Sequence, residues 1–260
     1  MKKKETACVI SQEELAADIY SLRLRVSFAE EVKAGQFLSL FSADGMRLLP
    51  RPISVCETDP ANGAVRVVYR IAGQGTREFS RLKAGDMISV MGPLGNGFPL
   101  EELKGKRVLM IGGGIGIPPM LFLGRTLKAA GNTGCAFAAG YRTSDTYLLE
   151  ELRETARVLV ATDDGSLGVH GTVLDAVREA GYHADVICAC GPRPMLKAVK
   201  GFAEEEGIPA YISLEERMAC GLGVCLGCVT PTRETDSHSN VRNARVCTDG
   251  PVFNAREVEL

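Results

Sequence analysis

The sequence predicts a multi-domain β plus α/β chain: an antiparallel β-barrel, a Rossmann-like parallel-sheet unit, and a small cysteine-rich tail. Three observations carry this reading. Short runs with period-2 alternation, separated by Gly and Asp, fill residues 1–100. Strand and helix patterns alternate strictly over residues 101–213, and over 214–260 the helical period is lost while Cys and Gly accumulate.

In the first part, Ile19, Leu22, Leu24, Val26 and Phe28 alternate with polar Ser21, Arg23, Arg25 and Ser27. Gln36–Phe41, Val65–Ile71 and Met87–Met91 are further strand candidates, and Thr76–Leu82 a short helix. Short strands at this spacing suit an antiparallel barrel. In the second part, strands are expected at Arg107–Ile111, Cys135–Ala139, Val158–Ala161, Val186–Cys190 and Ala210–Ser213. Helices are expected through Ala130 and over Tyr147–Arg153, Thr172–Ala180 and Pro194–Glu206. Such alternation implies right-handed crossovers and a ligand outside the carboxyl ends of the strands. The tail has little apolar surface to bury by itself, so a bound metal group is expected to hold it together.

With 30 Lys and Arg against 32 Asp and Glu, the net charge is −2, which gives no basic excess for nucleic acid or an anionic membrane. Met1-Lys2-Lys3-Lys4 is followed by no apolar run, so no signal peptide is read. The uncharged stretch from Val108 to Gly124 is broken by Gly112-Gly113-Gly114, Gly116 and Pro118-Pro119, and reads as strand, loop and helix instead of a membrane span. Nine cysteines without an export signal point to a cytoplasmic chain whose thiols serve metal or redox chemistry.

Cys220, Cys225 and Cys228 form C-x4-C-x2-C, and Cys247 follows at a distance. This is the plant-type [2Fe–2S] ligand spacing. Four thiolates hold two soft irons, and Gly221, Gly223 and Gly227 let the backbone curl round them with N–H groups facing sulfur. A structural zinc site usually draws its cysteines as two close pairs, which this triplet fits poorly. Four unrelated buried thiols fit worse, with three cysteines in nine residues.

Two other constellations allow bland readings beside functional ones. Arg51-Pro52-Ile53-Ser54, Val68-Tyr69-Arg70 and Gly75-Thr76 supply cations and backbone amides that suit a flavin pyrophosphate, with Ser54 near the ring edge. The alternatives are a strand-edge turn and a loop with a helix N-cap at Thr76. Gly112, Gly113, Gly114 and Gly116 lie between a strand and a helix, where a nucleotide pyrophosphate is favoured, or where a tight turn simply needs glycine. Cys190-Gly191-Pro192 ends a strand, where Cys190 by itself reads as a small buried hydrophobe. Asp163-Asp164-Gly165-Ser166 is an Asx turn or a ribose contact, and acid there disfavours a 2′-phosphate. Cys8, Cys56, Cys135 and Cys188 read as packing, and His170, His183 and His238 as scattered.

The order of these motifs resembles the ferredoxin–NADP reductase superfamily. With Glu215-Glu216-Arg217-Met218-Ala219-Cys220-Gly221 and Val246-Cys247-Thr248-Asp249-Gly250-Pro251-Val252-Phe253, it resembles the electron-transfer subunits of NAD-dependent (class B) dihydroorotate dehydrogenases. The resemblance implies FAD held by Arg51, Pro52, Ile53, Ser54, Val68, Tyr69, Arg70, Gly75 and Thr76. It implies NAD at Gly112, Gly113, Gly114, Gly116, Cys190, Gly191 and Pro192, and a [2Fe–2S] cluster on the four cysteines. It also implies an FMN-containing catalytic subunit as partner, assembled two plus two, which oxidises dihydroorotate to orotate in pyrimidine synthesis. Many superfamily members carry Tyr where this chain has Ile53. The alternatives are a reductase subunit of a sulfide dehydrogenase or ferredoxin–NADP reductase type, and, outside catalysis, a redox-sensing or zinc-stapled module. No nucleophile with its base and no general-base constellation is present, as expected of an oxidoreductase whose cofactors carry the chemistry.

Overall fold

The computed structural model describes residues 2–235 and 240–260. His238 lies outside the described residues. Barrel strands β1 (Lys3–Ala16), β2 (Ile19–Arg25), β3 (Phe37–Phe41), β4 (Arg51–Asp59) and β5 (Ala64–Arg70) are followed by helix α1 (Gln74–Phe79) and strand β6 (Met87–Leu94). They close in the order β1-β2-β5-β4-β3-β6, so no edge is left open. Alternation sets the two faces. On β3, Leu38 and Leu40 enter the barrel core, whereas Phe37 faces outward with Met91 and Leu94 of β6. On β5, every residue but Arg70 is buried, because its outer face lies against the second unit.

That unit contains α2 (Leu100–Leu103), β7 (Val108–Gly113), α3 (Ile117–Ala129), β8 (Ala136–Tyr141), α4 (Leu149–Thr155), β9 (Arg157–Thr162), β10 (Val169–His170), α5 (Val173–Glu179), β11 (Val186–Cys190), α6 (Arg193–Glu205) and β12 (Ala210–Ser213). The chain ends in β13 (Val229–Pro231), β14 (Asn243–Arg245) and β15 (Val252–Asn254). Local chemistry sets the helix starts. Pro118 and Pro119 open α3, where a missing N–H costs nothing. Thr172 and Asp175 form a reciprocal capping box on α5.

The large sheet runs β10-β9-β8-β7-β11-β12-β15, parallel except for β15, which lies antiparallel on β12. The strand order reverses between β7 and β11, and ligands of open α/β sheets bind at such a switch point. Each face has its own core. One face continues from the barrel interior through Met120, Phe122 and Leu123 of α3 to Leu152 of α4. The other joins α5 and α6 to the tail, which buries Met218, Cys228, Val246, Cys247, Phe253, Ala255 and Val258. The tail therefore holds on through its own apolar residues as well as through its cysteines, more than its composition suggests. Among the described residues, no helix is long and apolar enough to cross a membrane.

Candidate functional site

The first cavity lies where the barrel meets the last strand of the α/β unit. It encloses ≈310 Å³ and is lined by Arg51, Pro52, Ile53 and Ser54 of β4, Val68, Tyr69 and Arg70 of β5, and Thr76 of α1. Gly75 does not line it but shapes it. A Cβ there would come within 2.6 Å of Arg51 Nε, so glycine leaves the guanidinium room to cross the first turn of α1. Arg51 donates to the carbonyl of Leu49. The Thr76 hydroxyl is used locally, accepting from the amides of Ala72 (2.9 Å) and Gly73 (3.2 Å) and donating to the carbonyl of Gly73 (3.1 Å). The Tyr69 ring is packed away from the cavity, stacked on Tyr20 at 6.0 Å and edge-on to Phe79 at 6.3 Å. Ile53 and Ile115 give apolar walls, joined by Phe37, Leu214, Met218 and Pro251. A wider recess of ≈890 Å³ opens from the same place between residues 46–52 and 215–218.

The second cavity, ≈540 Å³, lies over the carboxyl ends of β7, β8, β9 and β11. Gly113, Gly114, Gly191 and Pro192 line it, and so do Arg142 and Asp163. Gly112, Gly116 and Cys190 are not among its lining residues. A Cβ on Gly116 would come within 2.1 Å of the Cys190 carbonyl oxygen, and one on Gly112 within 2.9 Å of Ile117 Cα. These two glycines let the β7–α3 turn press against the end of β11. The Cys190 thiol is fully buried, and burial pushes its pKa up to about 12, with the Glu215 charge adding to the rise. Asp164 accepts from the amide and hydroxyl of Ser166, the Asx turn anticipated there.

Arg70 and Glu215 line both cavities. Crowding by the surrounding protein raises the Glu215 pKa, and Arg70 pulls it back. Glu215 was not among the expected site residues. Its sequence signals are its place just past β12, at the carboxyl edge of the parallel sheet, and its membership of the Glu215–Gly221 motif.

The third element is the cysteine loop. The Cys220 thiol feels that of Cys225, and the Cys247 thiol that of Cys228, so the four sulfurs fall into two neighbouring pairs. Two pairs suit a binuclear centre, in which each iron takes two thiolates. Among the described residues, no three His, Cys, Asp or Glu side chains converge to hold a single ion. The loop turns inward through Gly221 at φ +67° and Gly223 at φ +83°, a region open to glycine. Burial opposes thiolate formation at Cys220. The backbone N–H groups of Leu222, Cys225 and Val224 and the Cys225 thiol outweigh it and bring the pKa to about 6. The Leu222 amide stands 3.3 Å from the Cys220 sulfur. This donor set fits an anionic iron–sulfur group. Arg245 braces the loop through Asp249 (2.9 Å) and the carbonyl of Gly223 (3.4 Å). Asn96 ties it to the barrel by donating to the carbonyls of Thr248 (3.0 Å) and Asp249 (3.1 Å).

Three family models match in succession: an oxidoreductase FAD-binding domain over residues 6–98, an oxidoreductase NAD-binding domain over 110–201, and the iron–sulfur cluster binding domain of dihydroorotate dehydrogenase B over 215–259. The electron transfer subunit of dihydroorotate dehydrogenase B (NAD(+)) from Bacillus cereus (strain B4264) is 41% identical over 264 residues, covering 100% of both chains. The chain belongs to this family of electron transfer subunits. The Bacillus anthracis (strain A0248) subunit is 40% identical over the same span. Among solved structures, that of an NADH-dependent reduced ferredoxin–NADP oxidoreductase superposes with a TM-score of 0.86 at 30% identity, covering 97% of this chain and 89% of that one. A ferredoxin–NADP+ reductase from Neisseria gonorrhoeae shares the fold at a TM-score of 0.67 and 16% identity, over 83% of this chain and 94% of that one. The β-barrel, the NAD-binding α/β unit and the iron–sulfur tail expected from the sequence are thus established, as is an oxidoreductase function with FAD, NAD and an iron–sulfur cluster.

Proposed function

We propose that this chain carries electrons from an FMN-containing dihydroorotate dehydrogenase catalytic subunit to NAD+, in a two-plus-two assembly in the cytoplasm. The net reaction is dihydroorotate plus NAD+ giving orotate, NADH and a proton. Bound flavin and iron–sulfur groups supply the exchange between a hydride's electron pair and single electrons, which no side chain here offers.

The chain's own residues bind, orient and screen. Arg51 and Arg70 offset the pyrophosphate charge of FAD. Gly75 keeps the path of Arg51 open, and Ser54 stands where a hydroxyl reaches the ring edge. Ile53 and Ile115 give the ring apolar walls and exclude water from it. Gly113, Gly114, Gly191 and Pro192 cradle the NAD pyrophosphate at the β7/β11 switch point. Asp163, at the end of β9, favours a free ribose hydroxyl over a phosphate. Arg70 and Glu215, common to both cavities, hold nicotinamide and flavin against each other. Cys220, Cys225, Cys228 and Cys247 would hold a [2Fe–2S] cluster, whose irons would pass single electrons.

The single observation that carries this reading is the adjacency of β3 and β4. Ser39 on β3 is in register with Pro52 in the flavin cradle, and a Cβ on Gly221, beside Cys220, would lie 3.3 Å from the Ser39 hydroxyl. Only one strand pairing therefore lies between the flavin cradle and the loop that would hold the cluster, which supports direct electron transfer between them. On the outer side Cys225 is exposed among Leu222 (42% exposed), Val224 (81%) and Leu226 (60%), an apolar face that suits a flavoprotein partner. The test is anaerobic purification with iron, zinc and flavin counted, followed by titration with NADH and reconstitution with the catalytic subunit. One FAD and two irons per chain, and dihydroorotate-dependent NAD+ reduction only in the complex, are expected. A zinc-loaded chain without flavin would overturn the reading.

A further inference from the structure

The Ser39 hydroxyl is an anomaly in its surroundings. Ser39 is 0% exposed, and its Oγ has no hydrogen-bond partner. It sits on the outer face of β3, with Phe37 two residues earlier and Met91 opposite on β6. An apolar residue would be the ordinary occupant of such a place, since an unpaired hydroxyl in an apolar layer is costly. No protein group pairs with it. Its near neighbour is the turn at Gly221, next to Cys220, and a Cβ there would stand 3.3 Å from the hydroxyl.

A second orphan lies by the same loop. Thr248 Oγ1 is buried without a partner, immediately after Cys247, and a Cβ on Gly223 would lie 2.9 Å from it. The two unsatisfied hydroxyls thus both meet the cysteine loop, one at Gly221 and one at Gly223. Neither belongs to the ligand set. Sulfur held at Cys220, next to that turn, would offer the Ser39 hydroxyl an acceptor.

We propose that Ser39 donates a hydrogen bond to cluster sulfur beside Cys220, and that Thr248 does the same beside Cys247. The inference rests on the reading that Cys220 and Cys247 hold the cluster. A donor to sulfur stabilises the more negative, reduced cluster, so each hydroxyl raises the reduction potential. Ser39 is a positioning and tuning residue here, and it takes no proton from the substrate.

The experiment is an EPR-monitored redox titration of the anaerobically purified full-length holoprotein, comparing wild type with Ser39→Ala, Ser39→Thr and Thr248→Val. Ser39→Ala is expected to lower the cluster midpoint. At the wild-type midpoint the ratio of reduced to oxidised cluster falls by about tenfold, the worth of one hydrogen bond to a charged acceptor. Thr248→Val shifts it in the same direction. Ser39→Thr, which keeps the hydroxyl, restores the wild-type value, while the flavin midpoint and the iron content stay unchanged throughout. An unchanged cluster midpoint in an iron-replete Ser39→Ala protein overturns the proposal, and so does a Ser39→Thr protein shifted as far as Ser39→Ala. A wild-type chain without iron would instead overturn the functional reading itself.

Discussion

Glu57 on the barrel and Arg125 on α3 form an ion pair of 2.6 Å across the boundary between the two units. It is one side of a closed ring. Arg125 also binds Glu151 of α4 at 2.7 Å, Glu151 binds Arg66 of β5 at 2.8 Å, and Arg66 returns to Glu57 at 3.6 Å. Each arginine thus bridges one carboxylate from each unit. The surrounding interface is apolar and can slide, whereas directional charged bonds cannot, so the ring fixes the register of the barrel on the sheet. With the cofactors bound, Arg125→Met is expected to cost about 1–2 kcal/mol, between the values for exposed and buried pairs. Glu57→Gln should cost a similar amount, and the double variant less than the sum. Thermal unfolding of the four proteins checks this; full additivity would remove the ring as a unit.

Glu151 gives the ring a pH signature. Burial opposes its charge, but the Arg66 hydrogen bond and the charges of Arg66 and Arg125 prevail and hold its pKa below the ordinary 4.5. A depressed carboxyl contributes stability that is present above its unfolded pKa and is lost as pH falls through the folded one. Wild type should therefore exceed Glu151→Gln in stability at neutral pH by about 3 kcal/mol, because the variant leaves buried Arg66 short of a partner. The gap should narrow steadily as pH drops below 4.5. Denaturation midpoints measured across that range decide it; a constant gap refutes the assignment.

Gly75→Ala and Arg51→Ala are expected to share one phenotype. The added methyl would meet the Arg51 guanidinium at 2.6 Å, so either change removes that cation from the cradle. Flavin retention should fall by about tenfold or more, as expected for losing a charged hydrogen bond. Gly73→Ala is the control, since a Cβ there meets nothing within 4 Å. Flavin-to-protein ratios after dialysis report the result; equal ratios in all four proteins would count against Arg51 as a phosphate ligand.

Cys225→Ser should eliminate the cluster and partner-linked turnover while sparing NADH-dependent reduction of a small dye. Cys225 is the exposed ligand, whereas Cys228 and Cys247 stay buried in the core of the tail, so the fold should survive. Iron analysis and the two assays together check this. Retention of dihydroorotate-dependent turnover in the iron-free variant would break the relay.

How legible these features are depends on the kind of signal each residue leaves. The cysteine spacing is local and reads directly. Strand β1 leaves a weak trace, because Lys3, Lys4, Glu5, Glu13 and Glu14 load it with charge and only Ala7 and Val9 are buried. Glu215 stands in the motif that carries the family resemblance, but only the three-dimensional meeting of β5 with the end of β12 makes it a site residue. The Glu57–Arg125–Glu151–Arg66 ring is equally silent, because its members are far apart in sequence and each has the look of a surface charge. Cys190 and Gly116 show the converse: both belong to a recognisable motif, yet packing accounts for their places.

β15 returns to pair with β12, so the segment between Leu214 and Pro251 is pinned at both ends to one sheet. The electron-carrying loop is therefore an insert in a hairpin, and not a dangling appendage. The two stems are held by backbone pairing that involves none of the four cysteines, so the anchoring of the loop to the nucleotide-binding sheet does not itself depend on metal.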